Sequence, residues 1–504
     1  MTRLVAIFLC ALAATVAPGQ TEVTVGSKTF TESIVLGEVL AAVAENDTDA
    51  NVSRKLNLGG TQLVYKALVA GEIDAYVEYT GTLLLDTFAS DNLANETQLT
   101  ERLSQDGLVM LAPLGFANNY GLAVRRNTAN ALSLRTIDDL RSHPDLVFSM
   151  NSEFLERGDG WLALREAYQL PPFDVLDATH EIAYRALAGG ESDVMVVYTT
   201  DAKIGELDLV VLDDNRSHFP RYDAVIVHQQ DLNQSAPGVV AAWQSLAGSI
   251  DEATMIELNR RVDGDGRDPG EVAAAFTSNL LGTDIIFVSE STAARVLRYT
   301  LEHLLLVVVP TAAALLIAIP VGVLAARRPS FAQPVLGFVG IVQTVPSLAL
   351  LVLLVPILAW AKPVLALDAI GPAPAIITLT LYSLLPIVRN THAGLSNIAP
   401  STRESAEALG LSTRTRLTRI DLPLALPTIF AGIKTAAVIN VGYATLGAFV
   451  GAGGYGTPIL TWTRTDDPRL LLEGALPAMV MALCVQGLFE FVERAVTPRG
   501  LRAK

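Results

Sequence analysis

Four tyrosines, Tyr79, Tyr120, Tyr198 and Tyr222, stand in four separate short stretches: EYTGT (78–82), NNYGLAV (118–124), VVYTTDAKI (196–204) and FPRYDAV (219–225). The face of a phenol ring carries a negative quadrupole and attracts a cation by ~0.5–2 kcal/mol, depending on desolvation. A quaternary ammonium ion offers no hydrogen-bond donor, so aromatic faces are the natural means of holding it. Tyrosines drawn from distant stretches are candidates for such a cage. Each of them alone also reads as an ordinary core or interface residue, and Tyr65, Tyr76 and Tyr184 are read as core or surface.

Other chemistries are poorly represented. Cys10 and Cys484 both lie in apolar runs, which argues against a disulfide framework or a thiolate metal site. The six histidines show no HxxxH or HxxE pairing, so no metal is expected. No serine, histidine and aspartate stand at a recognisable catalytic spacing, and Glu153, Glu156 and Asp159 read as a solvated loop. The phosphate-binding pattern GxxxxGK[ST] is absent, so any ATP-driven work needs a separate protein. Neither a catalytic residue nor a cofactor is expected.

The elements that must position the tyrosines fall in the first half of the 504-residue chain. Residues 21–300 hold 20 Lys and Arg against 42 Asp and Glu, whereas the remainder holds 16 against 10. The acidic half makes nucleic acid an unsuitable partner, since phosphates need a positive patch. Within 21–285, β-branched runs such as EVTVGS, LVFSMN and DVMVVYTTD alternate with helical stretches such as ESIVLGEVLAAVAEN. That alternation predicts parallel sheets in an α/β domain of two lobes, 21–121 plus 223–280 and 122–222, crossing at 120–124 and 222–227. A cleft between lobes is a good enclosure for a small molecule. The opening residues 1–20, with Arg3 and a short apolar core, have the shape of a secretory signal or a retained anchor.

After an expected linker at 286–300 the chemistry changes. Spans of ~20 apolar residues are expected at 301–325, 334–359, 369–388, 425–448 and 473–492. The Gly-rich stretch at 449–472 leaves five or six passages open. Arg327 and Arg328, then Arg389, Arg403, Arg414, Arg416 and Arg419, then the tail 496–504 all fall on one side, which the positive-inside rule makes cytoplasmic. The first half then faces outward.

On that cytoplasmic side lies ESAEALGLSTRTRLTRIDLPLALP (404–427), where two short helices around Gly410 would present Leu409, Leu411, Leu417 and Ile420 beside arginines. The strip resembles the coupling loop of ABC importer permeases: Glu404, Ser405 and Ala406, then Gly410, then Ile420, Leu422 and Pro423 fall in register, with Ser405 in place of an alanine. The resemblance implies a coupling loop at 402–424 in a transmembrane domain at 301–495 of the type-1 permease fold, all-α with five or six helices. It also implies a cytoplasmic ATPase subunit as partner and pairing of two copies of this chain. VQTVPSLALL (342–351), YSLLPIVRNT (382–391) and GAGGYG (451–456) are similar to the permeases of osmoprotectant importers; Gln343 and Thr344 would face the bundle interior. A ligand-gated channel is the competing class, and a channel has no need to grip an ATPase.

The first half resembles the extracytoplasmic receptors of the same importers, of the type II two-lobed fold, over nearly its whole length. VGSKTFTES (25–33), LGGTQL (58–63) and FLERGDGW (154–161) carry the likeness together with the four tyrosine stretches. What the resemblance implies is a quaternary-ammonium ligand such as glycine betaine, choline or carnitine, caged by Tyr79, Tyr120, Tyr198 and Tyr222. Lys28 and Arg157 match the family's carboxylate-facing positions, with Thr82 and Asn118 as polar contacts. Arg157 also reads as a solvated charge, and Trp161 is expected beneath its loop. Arg221 departs from the family's frequent proline, adding a positive charge that either points to solvent or favours a ligand with a further polar group. Related importers carry ergothioneine, itself a trimethylammonium betaine. The chain thus reads as a receptor fused to a permease in a bacterial plasma membrane, the receptor outside.

Overall fold

The strand EVTVG (β1, Glu22–Gly26) buries alternate residues, as a strand with one covered face should, whereas AYVEY (β3, Ala75–Tyr79) is buried throughout. In a computed structural model describing residues 21–93, 95–365, 367–465 and 468–496, these belong to the first of two five-stranded sheets. The expected leader at 1–20 and all but the first residue of the tail 496–504 lie outside the described residues. The chain divides into two units, Met1–Val288 and Ser289–Lys504.

The first sheet adds β2 (Asn51–Lys55), β4 (Leu108–Met110) and β10 (Ala224–Gln229) in the order β2-β1-β3-β10-β4. The second contains β5 (Tyr120–Arg125), β6 (Val147–Met150), β7 (Asp174–Asp177), β8 (Val194–Tyr198) and β9 (Leu209–Leu212) in the order β7-β6-β8-β5-β9. In each sheet one strand runs against its neighbours, β10 in the first and β5 in the second. Each of these is the strand the chain enters just after crossing between lobes.

This corrects the expected crossings. Residues 120–124 and 222–227 are mostly strand, because β-branched runs of that kind pair rather than bridge. The chain crosses just before the strands, at 117–119 and 222–223, where Ala117 bridges Asp223 and the Asn118 backbone amide donates to the Tyr222 carbonyl at 3.0 Å. Tyr120 and Gly121 therefore belong to the second sheet.

Helix α1 (Thr31–Asp47) is apolar nearly all round and buried nearly all round. One side lies on the first sheet; the others are covered by 237–244 and by α3 (Glu252–Asp263) and α4 (Pro269–Leu281), which follow α2 (Thr61–Val69) in the chain. The buried Trp243 indole donates to the Leu40 carbonyl at 2.9 Å, so its one polar atom is satisfied.

The second unit begins with α5 (Thr292–Arg327), capped by Ser291, so only the first residues of the expected linker are non-helical. Then come α6 (Pro329–Thr344), α7 (Ser347–Leu365), α8 (Pro372–Ser396), α9 (Pro400–Ala408), α10 (Leu422–Tyr443), α11 (Gly456–Thr465) and α12 (Pro468–Val496). Among the described residues, four helices are long and apolar enough to cross a membrane, or five if the pair α6 and α7 is counted as one span. The pair is bent by 96°, which corrects the continuous span expected at 334–359. Pro346 supplies no amide, and Val345 before it is extended, with φ −70° and ψ 128°, which is where the helix breaks. Thr344 is exposed, its hydroxyl donating back to the Ile341 carbonyl, and not turned to the interior. The GAGGYG stretch is held to α5: the Gly454 amide donates to Glu302 at 2.7 Å and the Tyr455 hydroxyl to Thr300 at 2.9 Å.

Candidate functional site

Tyr120 opens β5 and Tyr198 closes β8, and the two are direct partners in that antiparallel pair. Opposed residues project to the same face, so their rings stand side by side, 5.2 Å between centroids. Tyr79 closes β3 opposite Ala224, and Tyr222 lies on the returning crossing segment. Register thus delivers four rings from two sheets and a hinge to one place. Tyr222 meets Tyr120 edge-on at 5.5 Å, and Phe30 stacks on Tyr198 and tilts against Tyr79, each at 6.1 Å. All eight residues expected to touch a ligand line one cleft of about 450 Å³, part of it open to solvent. Phe30, Thr29 and the Gly59–Thr61 turn at the start of α2 complete the wall.

Neither cation in the cleft stands alone. The Lys28 ammonium is bonded to buried Glu78 at 2.5 Å and lies 4.8 Å from the centre of the Tyr79 ring. Glu78 is held in turn by the Tyr76 hydroxyl at 3.1 Å and the Tyr79 amide at 2.9 Å. Arg157 is buried and makes a forked pair with Asp159 at 2.8 and 2.7 Å, its guanidinium 5.4 Å from the Tyr120 ring centre. The Tyr222 hydroxyl donates to the same Asp159 carboxylate at 2.6 Å. Burial works to raise the Asp159 pKa, but the Arg157 bonds and charge, with Tyr222, carry it below the usual carboxylate range.

Asp159 was expected in a solvated loop, and that reading is corrected: it is buried because Arg157 and Tyr222 need an acceptor there. Arg157 is not a solvated charge either. Trp161 is buried beneath the loop, against Phe148 at 5.1 Å. Arg221 points out, 71 % exposed and paired with Asp223, so it adds no charge to the cleft.

Sequence reasoning also missed Glu32. It is buried in the first turn of α1 and accepts from the Tyr79 hydroxyl at 2.5 Å, Asn118 at 2.9 Å and Asn259 at 3.1 Å. Asn259 also donates to the carbonyl of Thr200, from the other lobe, at 3.1 Å. Burial raises the Glu32 pKa and these donors pull it back only in part. The amide of Asn118 is committed to Glu32, while its Oδ1 has no hydrogen-bond partner among the described residues.

Gly81 is required by this packing, since a Cβ there would lie 2.5 Å from the Tyr222 ring. Gly81→Ala should displace that ring from Asp159 and weaken ligand binding about tenfold, in line with ~1–3 kcal/mol for overpacking. Titration of the variant with the wild-type ligand measures it; unchanged affinity would mean that the ring yields freely.

Behind the cleft, His180 bonds to Asp201 at 2.8 Å and its ring lies 4.9 Å from Tyr198. Asp263, at the end of α3, accepts from Thr31 at 2.6 Å, and burial, followed by repulsion from Glu181, raises its pKa to about 6. A folded pKa above the unfolded value means the folded state holds the extra proton between about pH 4 and 6, so stability falls as pH rises through that window. Asp263→Asn should remove this slope, the variant gaining on wild type from pH 4 to 6 and no further above it. Unfolding midpoints measured across that range check the prediction.

In the second unit the strip bends at Gly410, whose φ of +70° suits the residue. Glu404 and Gly410 are exposed, Ala406 is buried, and Ile420, Leu422 and Pro423 are half-buried at the start of α10. Leu409 is 77 % exposed, whereas Leu411, Leu417 and Ile420 are half-buried and Leu417 packs on the helix bundle. The expected knob of four apolar residues is thus one leucine. Arg416 bonds to Glu407 and lies 3.5 Å from Asp421, and Arg327 donates to the Thr413 carbonyl at 2.9 Å, bracing the strip.

Residues 21–279 match the family model of the substrate binding domain of the ABC-type glycine betaine transport system. Residues 318–498 match that of the binding-protein-dependent transport system inner membrane component. The chain is 39% identical over 203 residues to the osmoprotectant import permease protein of Salmonella typhimurium, 40% of this chain and 92% of that one. It is 30% identical over 261 residues to an ergothioneine transport permease/ergothioneine binding protein of Helicobacter pylori, 51% of this chain and 47% of that one. Among solved structures, a crystal structure of a glycine betaine/carnitine/choline ABC transporter aligns at 28% identity and a TM-score of 0.45, covering 51% of this chain and 98% of that one.

Proposed function

The chain belongs to the ABC-type glycine betaine transport family, a substrate-binding domain fused to a multi-pass membrane permease, and from that premise we propose that it captures a zwitterionic quaternary-ammonium compound and passes it through its own membrane unit. The observation that carries this is the convergence of Tyr79, Tyr120, Tyr198 and Tyr222 on one cleft. Their faces suit a trimethylammonium group, and Phe30 extends the aromatic wall. Lys28 and Arg157 are each neutralised by a buried carboxylate, so the cleft has no large excess of either sign. A ligand that is itself neutral overall fits that balance better than a bare cation.

Because the rings come from both lobes, a ligand between them draws the lobes together. In this reading the receptor lies outside a bacterial plasma membrane, and two copies of the chain form the pore. A separate cytoplasmic ATPase then grips residues 402–424. Fusion keeps the receptor at high effective concentration near the pore.

Calorimetric titration of the purified full chain with glycine betaine, choline, carnitine and ergothioneine, alongside Tyr198→Ala, tests the proposal. Saturable binding of at least one zwitterion, weakened about tenfold or more in the variant, is the expected result. Failure of all four with a folded receptor would overturn the ligand class.

A further inference from the structure

The two lobes of the receptor unit also meet where α3 ends. Asn259 donates to the Thr200 carbonyl at 3.1 Å, and just past the helix a Cβ on Gly264 would lie 2.8 Å from a Glu206 carboxylate oxygen. Asp263, the last residue of α3, stands between these two contacts in sequence. In its own lobe it accepts at 2.6 Å from the hydroxyl of Thr31, the residue before buried Glu32. The cations of that stretch are committed elsewhere: Arg260 and Arg261 to Glu257, Arg260 also to Asp265, and Arg267 to Glu271. From the second lobe, the charges that act on Asp263 are Glu181, Lys203 and Asp201. Lys203 is bonded to Glu181, while Asp201 holds His180 and the Tyr184 hydroxyl, each at 2.8 Å. The second-lobe carboxylates Glu181, Asp201 and Glu206 thus confront another carboxylate across the lobes, and Lys203 among them is already paired.

We propose that the end of α3 is an acid-sensitive latch, in which proton uptake by Asp263 lets the two lobes close. Like charges brought together away from water repel, and the repulsion ends when one of them takes up a proton. Burial, followed by repulsion from Glu181, holds the Asp263 pKa at about 6 while the lobes touch. In separated lobes the facing carboxylates withdraw and water returns, so the group falls back toward its ordinary value of 3.8. The closed form therefore holds the extra proton between about pH 4 and 6, and its advantage is lost as pH rises through that window. His180 behaves differently. The charges that act on it, Asp201, Glu181 and Lys203, all belong to its own lobe, so its proton does not tell open from closed. The latch works on the empty receptor and is independent of which ligand the tyrosine cleft takes.

Spin-label distances in the purified full chain, without ligand, test the latch. The labels are carried by Glu101→Cys in the first lobe and Glu191→Cys in the second, both exposed positions, in a chain with Cys10→Ser and Cys484→Ser. Between about pH 7.5 and about pH 5 the ratio of closed to open molecules should rise about tenfold, the gain that a pKa of about 6 against 3.8 supplies. Asp263→Asn should hold the acid ratio at both pH values, and His180→Gln should leave the pH response in place. Glu181→Gln, which releases Lys203 to pair with Asp263, should move the response to lower pH. Wild-type lobes that ignore pH, a response that survives in Asp263→Asn, or an Asp263→Asn chain open at both pH values would each overturn the latch. So would a response left unmoved by Glu181→Gln, which decides the matter even where Asp263→Asn fails to fold.

Discussion

Asp159→Ala should destabilise the receptor unit by ~3–5 kcal/mol, the cost of leaving a buried charge without its partner. Arg157 and Asp159 expose only 5 % and 6 % of their side chains, so water cannot replace the lost carboxylate. The Tyr222 hydroxyl loses its acceptor in the same step, and a ring of the cleft is released. Ligand affinity should therefore fall together with stability. The wild-type contribution also has a defined pH range. The folded pKa of Asp159 lies below its unfolded value, so the stabilisation is fully present above about pH 4 and is lost as pH falls through the folded pKa. Urea unfolding followed through tryptophan fluorescence, to which Trp161 and Trp243 of the receptor unit contribute, measures the effect. The double variant Arg157→Leu with Asp159→Leu should recover part of the stability but not the affinity, because replacing a buried pair with apolar groups is often nearly neutral. A change below ~1 kcal/mol in the single variant would show that the pair behaves as a solvated one.

Leu409→Asp should cut uptake by ~30-fold or more while leaving ligand binding at wild-type strength. Loss of a central interface residue costs ~2–4 kcal/mol, and each 1.4 kcal/mol is a factor of ten. Leu409 is exposed on the bend at Gly410, between braced helices. The measurement is uptake and ATP hydrolysis with the ATPase subunit present, against titration of the same preparation. Normal transport by the variant would remove Leu409 from the coupling role.

The receptor fold was readable because its β-branched runs are short and clearly bounded, and motif likeness singled out eight residues that share one cleft. Their buried hydrogen-bond partners were not readable. Glu32 and Asn259 stand 227 positions apart in sequence, and nothing local marks either as buried. Asp159, in a glycine-flanked polar loop, has the composition of a solvated turn; only the arrival of Tyr222 from 63 positions away encloses it. The crossings were misplaced for a related reason, since strand composition at 120–124 says nothing about which sheet accepts it. In the membrane unit apolar length located the helices, but the sharp bend at Pro346 depends on Tyr382 being there to take up the freed carbonyl.

The Glu32 cluster bears on the economy of the whole machine. Asn259 of the first lobe donates both to Glu32 and to the Thr200 carbonyl of the second, each at 3.1 Å. These are bonds between protein groups alone, and they draw the lobes together whether or not a ligand lies in the cleft. A receptor that shuts by itself for part of the time presents the closed shape to the pore without cargo, and tethering makes such presentations frequent. The predicted outcome is idle ATP consumption, a futile cycle whose rate is set by the strength of the bond that Asn259, held by a buried carboxylate, makes across the lobes. Asn259→Leu should lower it while costing some affinity.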